Sequence, residues 1–208
     1  MLKLSVVEMK TQPLYLIVGI LVTALLTVAV GYLLFQNQPL HGEVLDPPQP
    51  TSDFTLQSTN GPVSLSSFAG KVVVLYFGYT SCPDLCPITL ATVHQALESL
   101  GSKASDVQVL FVSVDWKRDT PEVMAKYVSH FDPGFIGLSG TQQQIDAVTR
   151  DFGIFYLLNL PDANGFYSVD HTASTRLLDR QGRLTTIWPY ELTSADMASD
   201  LRALLKRK

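Results

Sequence analysis

Two cysteines, and only two, occur in the 208 residues, and they lie four apart in Gly78-Tyr79-Thr80-Ser81-Cys82-Pro83-Asp84-Leu85-Cys86-Pro87. The run Lys71 to Phe77, apolar after its first residue, comes directly before this block. Such a run reads as a strand buried on both faces. A helix-like segment, Ile88 to Leu100, comes directly after. Thiols at i and i+4 on the first turn of a helix face the same way. They can close a disulfide or hold one soft metal ion between them, and the spacing alone leaves both open.

The rest of the chain says where such a pair would sit. Leu14 to Phe35 runs 22 residues without a charge. That is long enough to span a bilayer as a helix, and no Ala-x-Ala cleavage site follows it. The expectation is an uncleaved anchor through residues 14–35. Lys3 and Lys10 precede it, while Glu43, Asp46 and Asp53 come before the next basic residue, Lys71. The positive-inside rule then puts the N-terminus in the cytoplasm and the main domain outside, periplasmic or otherwise extracytoplasmic. Disulfides can persist there, so a lone close pair is a redox couple or a metal site. A staple is disfavoured, because so short a loop constrains the unfolded chain little. A net charge of −4 with scattered basic residues excludes a nucleic-acid footprint.

Organisation follows from punctuation and periodicity. Residues 1–36 read as cytoplasmic stub and anchor, 37–50 as a Pro-rich, semi-rigid linker, and 51–208 as the globular domain. Thr59-Asn60-Gly61 marks a hairpin between Asp53–Leu56 and Val63–Leu65. Val107 to Val114 is a second buried-strand run. Thr120-Pro121 and Thr141-Gln142-Gln143-Gln144 open helices. Strands at Thr172–Leu178 and Leu184–Trp188 flank a turn, and a last helix opens at Thr193 with Met197, Leu201, Leu204 and Leu205 as its apolar stripe. Strands alternating with helices imply a central sheet covered on both faces. With the cysteines at a strand-to-helix turn, the fold class is α/β, a thioredoxin-like central sheet flanked by helices, preceded by a transmembrane helix.

The cysteine block resembles the signature of the SCO/SenC family of copper chaperones for cytochrome c oxidase. Val112-Ser-Val-Asp115-Trp-Lys-Arg-Asp119-Thr-Pro121, Phe131-Asp-Pro-Gly-Phe-Ile-Gly-Leu-Ser-Gly140 and Val169-Asp170-His171-Thr172 are similar to its second, third and fourth blocks, in the same order. The resemblance covers roughly Ser52 to Leu205. Trp116 departs from the family's usual proline and leaves the metal set untouched. The resemblance implies copper bound through Cys82, Cys86 and His171, as Cu(I) and also as Cu(II). It further implies delivery to the dinuclear copper site of the oxidase subunit that bears it, with a copper donor protein upstream.

The chemistry of these residues suits that implication. Cu(I) is soft and favours thiolates, and imidazole also suits copper. A helix N-terminus favours thiolate formation, and ligation releases protons. His41 falls in the linker and reads as solvated. His94 lies eight residues past Cys86, or about 12 Å along a helix, and cannot share a metal with both sulfurs. His130 ends a helix. Asp115, at the end of the second core strand, could orient His171 or tune the thiols. Asp119 and Asp84 read as helix-start residues, and Asp170 as a loop residue or a neighbour that orients His171. The alternative function is a tethered thiol–disulfide oxidoreductase that keeps the oxidase cysteines reduced, with Cys82 attacking and Cys86 resolving. His171 discriminates, since a carrier needs it and a reductase does not. A peroxidase reading fits poorly, because both cysteines lie on one helix with no arginine partner evident.

Overall fold

The computed structural model describes residues 12–36 and 40–207. It divides into two units at Pro39/Leu40. The first holds α1, Gln12–Gln36. Its described side chains, from Tyr15 to Gly31, are exposed. Among the described residues, no helix is long and apolar enough to cross a membrane. Lys3 and Lys10, on which the expected orientation rests, lie outside the described residues.

The second unit is built on a six-stranded sheet in the order β1 (Glu43–Gln49), β10 (Leu184–Trp188), β9 (Thr175–Leu178), β4 (Val72–Gly78), β5 (Val107–Ser113) and β6 (Ile136–Leu138). Strand β4, Val72–Gly78, and β5, Val107–Ser113, pair in parallel and are apolar along nearly their whole length. Both faces of the sheet are therefore covered. Val72, Val74 and Tyr76 point toward α2 (Leu85–Glu98), α3 (Pro121–Val128) and α5 (Ser194–Lys206). Val73, Leu75 and Phe77 point toward α4 (Gln142–Asp151) and the hairpin β2–β3. That hairpin, Thr55–Ser58 with Gly61–Ser64, turns where Asn60-Gly61 predicts, with Gly61 at φ 105°. Thr141 with Gln144 and Thr193 with Asp196 form complete capping boxes, and Thr120 accepts from the Val123 amide. After β4–α2–β5 and the short parallel strand β6, Ile136–Leu138, come antiparallel β9, Thr175–Leu178, and β10, Leu184–Trp188, and then α5. A β–α–β unit followed by β–β–α is the thioredoxin-like plan expected.

One boundary needs correction. The stretch read as a spacer contains β1, Glu43–Gln49, which pairs antiparallel with β10 through Glu43↔Ile187 and Val44↔Thr186. Pro47 and Pro48 are compatible with a strand here because β1 is an edge. His41 is exposed, as expected, but it is tied to the domain. Its backbone amide donates to Asp200 Oδ1 at 3.0 Å, and its Nδ1 lies 2.8 Å from the same oxygen. Trp188 Nε1 donates to Asp200 Oδ2 at 2.8 Å, so this buried carboxylate ties the start of the domain to α5.

Candidate metal centre

The junction of β4 and α2 carries both cysteines, but not on one helical face. Pro83 disfavours helical backbone at the residue before it. Cys82 accordingly sits in the loop, partly exposed, and helix α2 begins only at Leu85. Cys86, in the first turn, is fully buried. The loop is pinned by Asp119, whose carboxylate accepts from the Thr80 amide at 2.9 Å, the Thr80 hydroxyl at 2.6 Å and the Ser113 hydroxyl at 2.5 Å. Asp119 thus clasps the cysteine loop to β5, a different task from the helix-start role expected. Asp84 occupies the N-cap position of α2 without a side-chain cap bond.

His171 arrives from elsewhere. It ends β8, Val169–His171, which pairs with β7, Tyr156–Leu158, in a two-stranded sheet separate from the main one. Its Nε2 lies 3.7 Å from Cys86 Sγ. The donor atoms of Cys82, Cys86 and His171 all fall within 4.8 Å of one another, and among the described residues this is the one such group. His171 Nδ1 lies 3.1 Å from the Thr172 carbonyl oxygen. A carbonyl only accepts, so Nδ1 donates there and Nε2 is the ring nitrogen turned toward the sulfurs. The ring is packed edge-on by Tyr79 (centroids 5.9 Å apart) and Tyr76 (6.4 Å).

Electrostatics divide the thiols. Cys82 is pulled down to about 3, chiefly because the Cys86 thiol hydrogen-bonds to its sulfur; burial opposes, and the His171 side chain and then the backbone amides of Asp84 and Cys86 assist. Cys86 is pushed up by the same bond, by burial and by the Cys82 charge. The hydrogen bond between the two sulfurs thus moves the thiols in opposite directions, Cys82 toward thiolate and Cys86 toward thiol. The Tyr76 hydroxyl donates to Cys86 Sγ at 3.6 Å, and burial raises the Tyr76 phenol, keeping it neutral. Nothing in the chain marked Tyr76 beforehand except a lone hydroxyl inside an otherwise apolar strand.

The other expected residues lie elsewhere. His94 pairs with Asp132 at 2.9 Å. Asp170 is exposed. Asp115 is fully buried but does not contact His171. Its carboxylate pairs with Arg118 Nε and accepts from the Tyr167 hydroxyl at 2.8 Å. The orienting group expected of Asp115 is the Thr172 carbonyl.

Comparison with known proteins agrees with this geometry. The SCO1/SenC family model matches residues 43–206, from the first residue of β1 into the last turn of α5. A SCO2-like protein of Rickettsia felis is 38% identical, over 84% of this chain and 90% of its own. The solution structure of apo Sco1 from Thermus thermophilus superposes with a TM-score of 0.75 at 42% identity, covering 81% of this chain and 99% of that one. Bradyrhizobium japonicum ScoI, solved with copper bound, gives 0.69 at 38% identity, covering 74% and 99%. With the family model spanning the whole of the second unit from β1 onward, the chain belongs to the SCO1/SenC family.

Proposed function

We propose that this protein is a membrane-tethered copper chaperone, which takes copper on Cys82, Cys86 and His171 and delivers it to the dinuclear copper site of cytochrome c oxidase. The observation that carries the reading is the convergence of two sulfurs from the β4–α2 junction and one imidazole nitrogen from the separate β7–β8 hairpin, within 4.8 Å. Two soft thiolates with one borderline nitrogen suit Cu(I), and imidazole extends the set to Cu(II). Three ligands leave copper open to an incoming thiolate, so the cargo can pass by stepwise ligand exchange. Ligation by both sulfurs requires deprotonation, so copper uptake releases protons. The copper-bound relative supports the cargo. Residues 14–35 serve as the anchor, the N-terminus faces the cytoplasm, and tethering raises the effective concentration at a membrane-embedded target. Secreting residues 37–208 without the anchor should lower oxidase activity in cells while metal binding survives; undiminished activity would remove the tether from the account.

The polarised thiols favour a second reading, thiol–disulfide exchange. The Cys82 thiolate would attack one sulfur of a target disulfide and release the other as a thiolate. Cys86 would then attack Cys82, freeing the second target thiol and leaving Cys82–Cys86 oxidised. Titrating Cu(I) into reduced residues 37–208 against a competing chelator separates the readings. The carrier reading requires one tight equivalent and a loss of about tenfold or more, roughly 1.4 kcal/mol, in His171→Ala. Equal, weak binding by both proteins would pass the lead to the exchange reaction.

A further inference from the structure

The ligands come from two bodies that share no strand pairing. Cys82 and Cys86 follow β4 of the main sheet, whereas His171 ends the separate β7–β8 hairpin. The closeness of His171 to the sulfurs therefore depends on what ties the hairpin and its 159–168 loop to the rest of the domain. Val169 fixes the base of the hairpin by burial in the core on one side of the sheet, and the Tyr156 hydroxyl donates to Asp146 of α4 at 2.6 Å. The loop side is tied by a different device. Arg118, three residues after Asp115, pairs through Nε with that buried carboxylate and through Nη1 donates to the Tyr167 carbonyl at 2.9 Å. Its guanidinium lies 3.6 Å from the centre of the Tyr167 ring, whose hydroxyl returns to Asp115. The same guanidinium stands 5.9 Å from the Tyr79 ring, on which the edge of His171 packs. One planar fork thus touches the hairpin loop, the buried carboxylate of the main domain and the aromatic wall behind the imidazole.

We propose that Arg118 is the positioning residue of this centre, a latch that joins Asp115 to Tyr167 and Tyr79 and so holds His171 against the cysteine sulfurs. The inference rests on His171 being a ligand. With the latch closed, nitrogen and sulfurs are preorganised; with it open, His171 can withdraw and leave copper on two thiolates for the acceptor. A lysine cannot replace the fork, because one ammonium does not supply the planar pair of donors and the stacking face at once.

The test uses the full-length chain, reduced and metal-free in detergent, with Arg118→Lys and Tyr167→Leu. The second variant leaves the Asp115–Arg118 pair intact, so no buried carboxylate is stranded. Hydrogen exchange is read at the hairpin amides of Asn159, Asp162 and Thr172, which donate to Ser168, Phe166 and Phe155, and at the amides of β4 and β5. Opening of the latch alone should speed exchange at the hairpin about tenfold or more while the main-sheet amides keep their rates. Hairpin exchange that stays at the wild-type rate in both variants overturns the latch. Cu(I) affinity is then measured in each variant with and without His171→Ala. A loss that vanishes in the His171→Ala background supports positioning through His171, and an undiminished loss contradicts it. If His171→Ala itself leaves affinity unchanged, the ligand assignment fails, and the metal-free exchange rates still decide the latch.

Discussion

Gly78 sits where β4 hands over to the cysteine loop, and its replacement by alanine tests the packing beneath the centre. An added Cβ would stand 2.6 Å from Cys86 Sγ and 2.8 Å from Cε2 of Phe111. Comfortable carbon contacts lie at about 3.5–4.0 Å, so each neighbour would have to give by roughly 1 Å. Phe111 cannot retreat easily, since it is stacked between Tyr76 and Tyr127 with centroids 5.7 Å away on both sides. The displacement falls on Cys86. Two effects then compete in the fold. Alanine restricts the unfolded chain, worth about 0.4–1 kcal/mol in favour of the variant. Overpacking a filled site costs about 1–3 kcal/mol. The steric effect wins, for a net destabilisation of about 1–2 kcal/mol, which in a domain of this size lowers Tm by roughly 2–8 °C. Thermal denaturation of the reduced, metal-free domain gives the first quantity, and Cu(I) competition gives the second, a loss of about tenfold from the displaced sulfur. An unchanged or raised Tm with unchanged affinity would refute the reasoning, because entropy alone would then have decided the outcome.

Three further outcomes follow from the same contacts. Asp119→Ala strands the Thr80 amide and frees the cysteine loop; with bonds to a charged acceptor worth about 1.5–3 kcal/mol, denaturant unfolding should show a loss of at least that size, and a loss below about 0.5 kcal/mol would contradict the clasp. In the metal-free domain iodoacetamide should modify Cys82 and spare Cys86, with a rate nearly flat from about pH 5 to 8, since Cys82, held down by the Cys86 hydrogen bond, is already a thiolate there. A rate that climbs tenfold per pH unit would exclude that. His41 is raised, first by its hydrogen bond to Asp200 and then by the charges of Asp200 and Asp196, against burial. The stability it adds is therefore complete below the unfolded value of about 6.5 and fades as pH rises through the higher folded value. The gap between wild type and His41→Gln should shrink accordingly; a gap that widens with pH would reverse the assignment.

The elements that sequence pattern predicts well are those whose local chemistry and tertiary role agree. Strands β4 and β5 are apolar because both faces are covered, and the caps at Thr120, Thr141 and Thr193 satisfy helix ends that need them wherever the helices pack. Strand β1 was hidden because Pro47 and Pro48 argue against a strand, and only its edge position makes them tolerable. The β7–β8 hairpin was hidden because three-residue strands carry no period. Cys82 was expected on the helix, although Pro83 carried the contrary signal. Asp115 was correctly expected at the strand end and wrongly expected beside His171. Its partners are Arg118 close by and Tyr167 more than fifty residues on, and the second pairing is a tertiary event that no spacing encodes. The gathering of His171 with the cysteines across 85 residues was legible through block order alone.

The central claim is a copper site made of two sulfurs and one nitrogen, and X-ray absorption at the copper edge of the reduced, Cu(I)-loaded domain tests it most directly. The account predicts two sulfur scatterers and one nitrogen scatterer per copper, with the nitrogen absent in His171→Ala and one sulfur absent in Cys82→Ser. A copper shell of sulfur alone in the wild type, or a nitrogen that persists without His171, would contradict it.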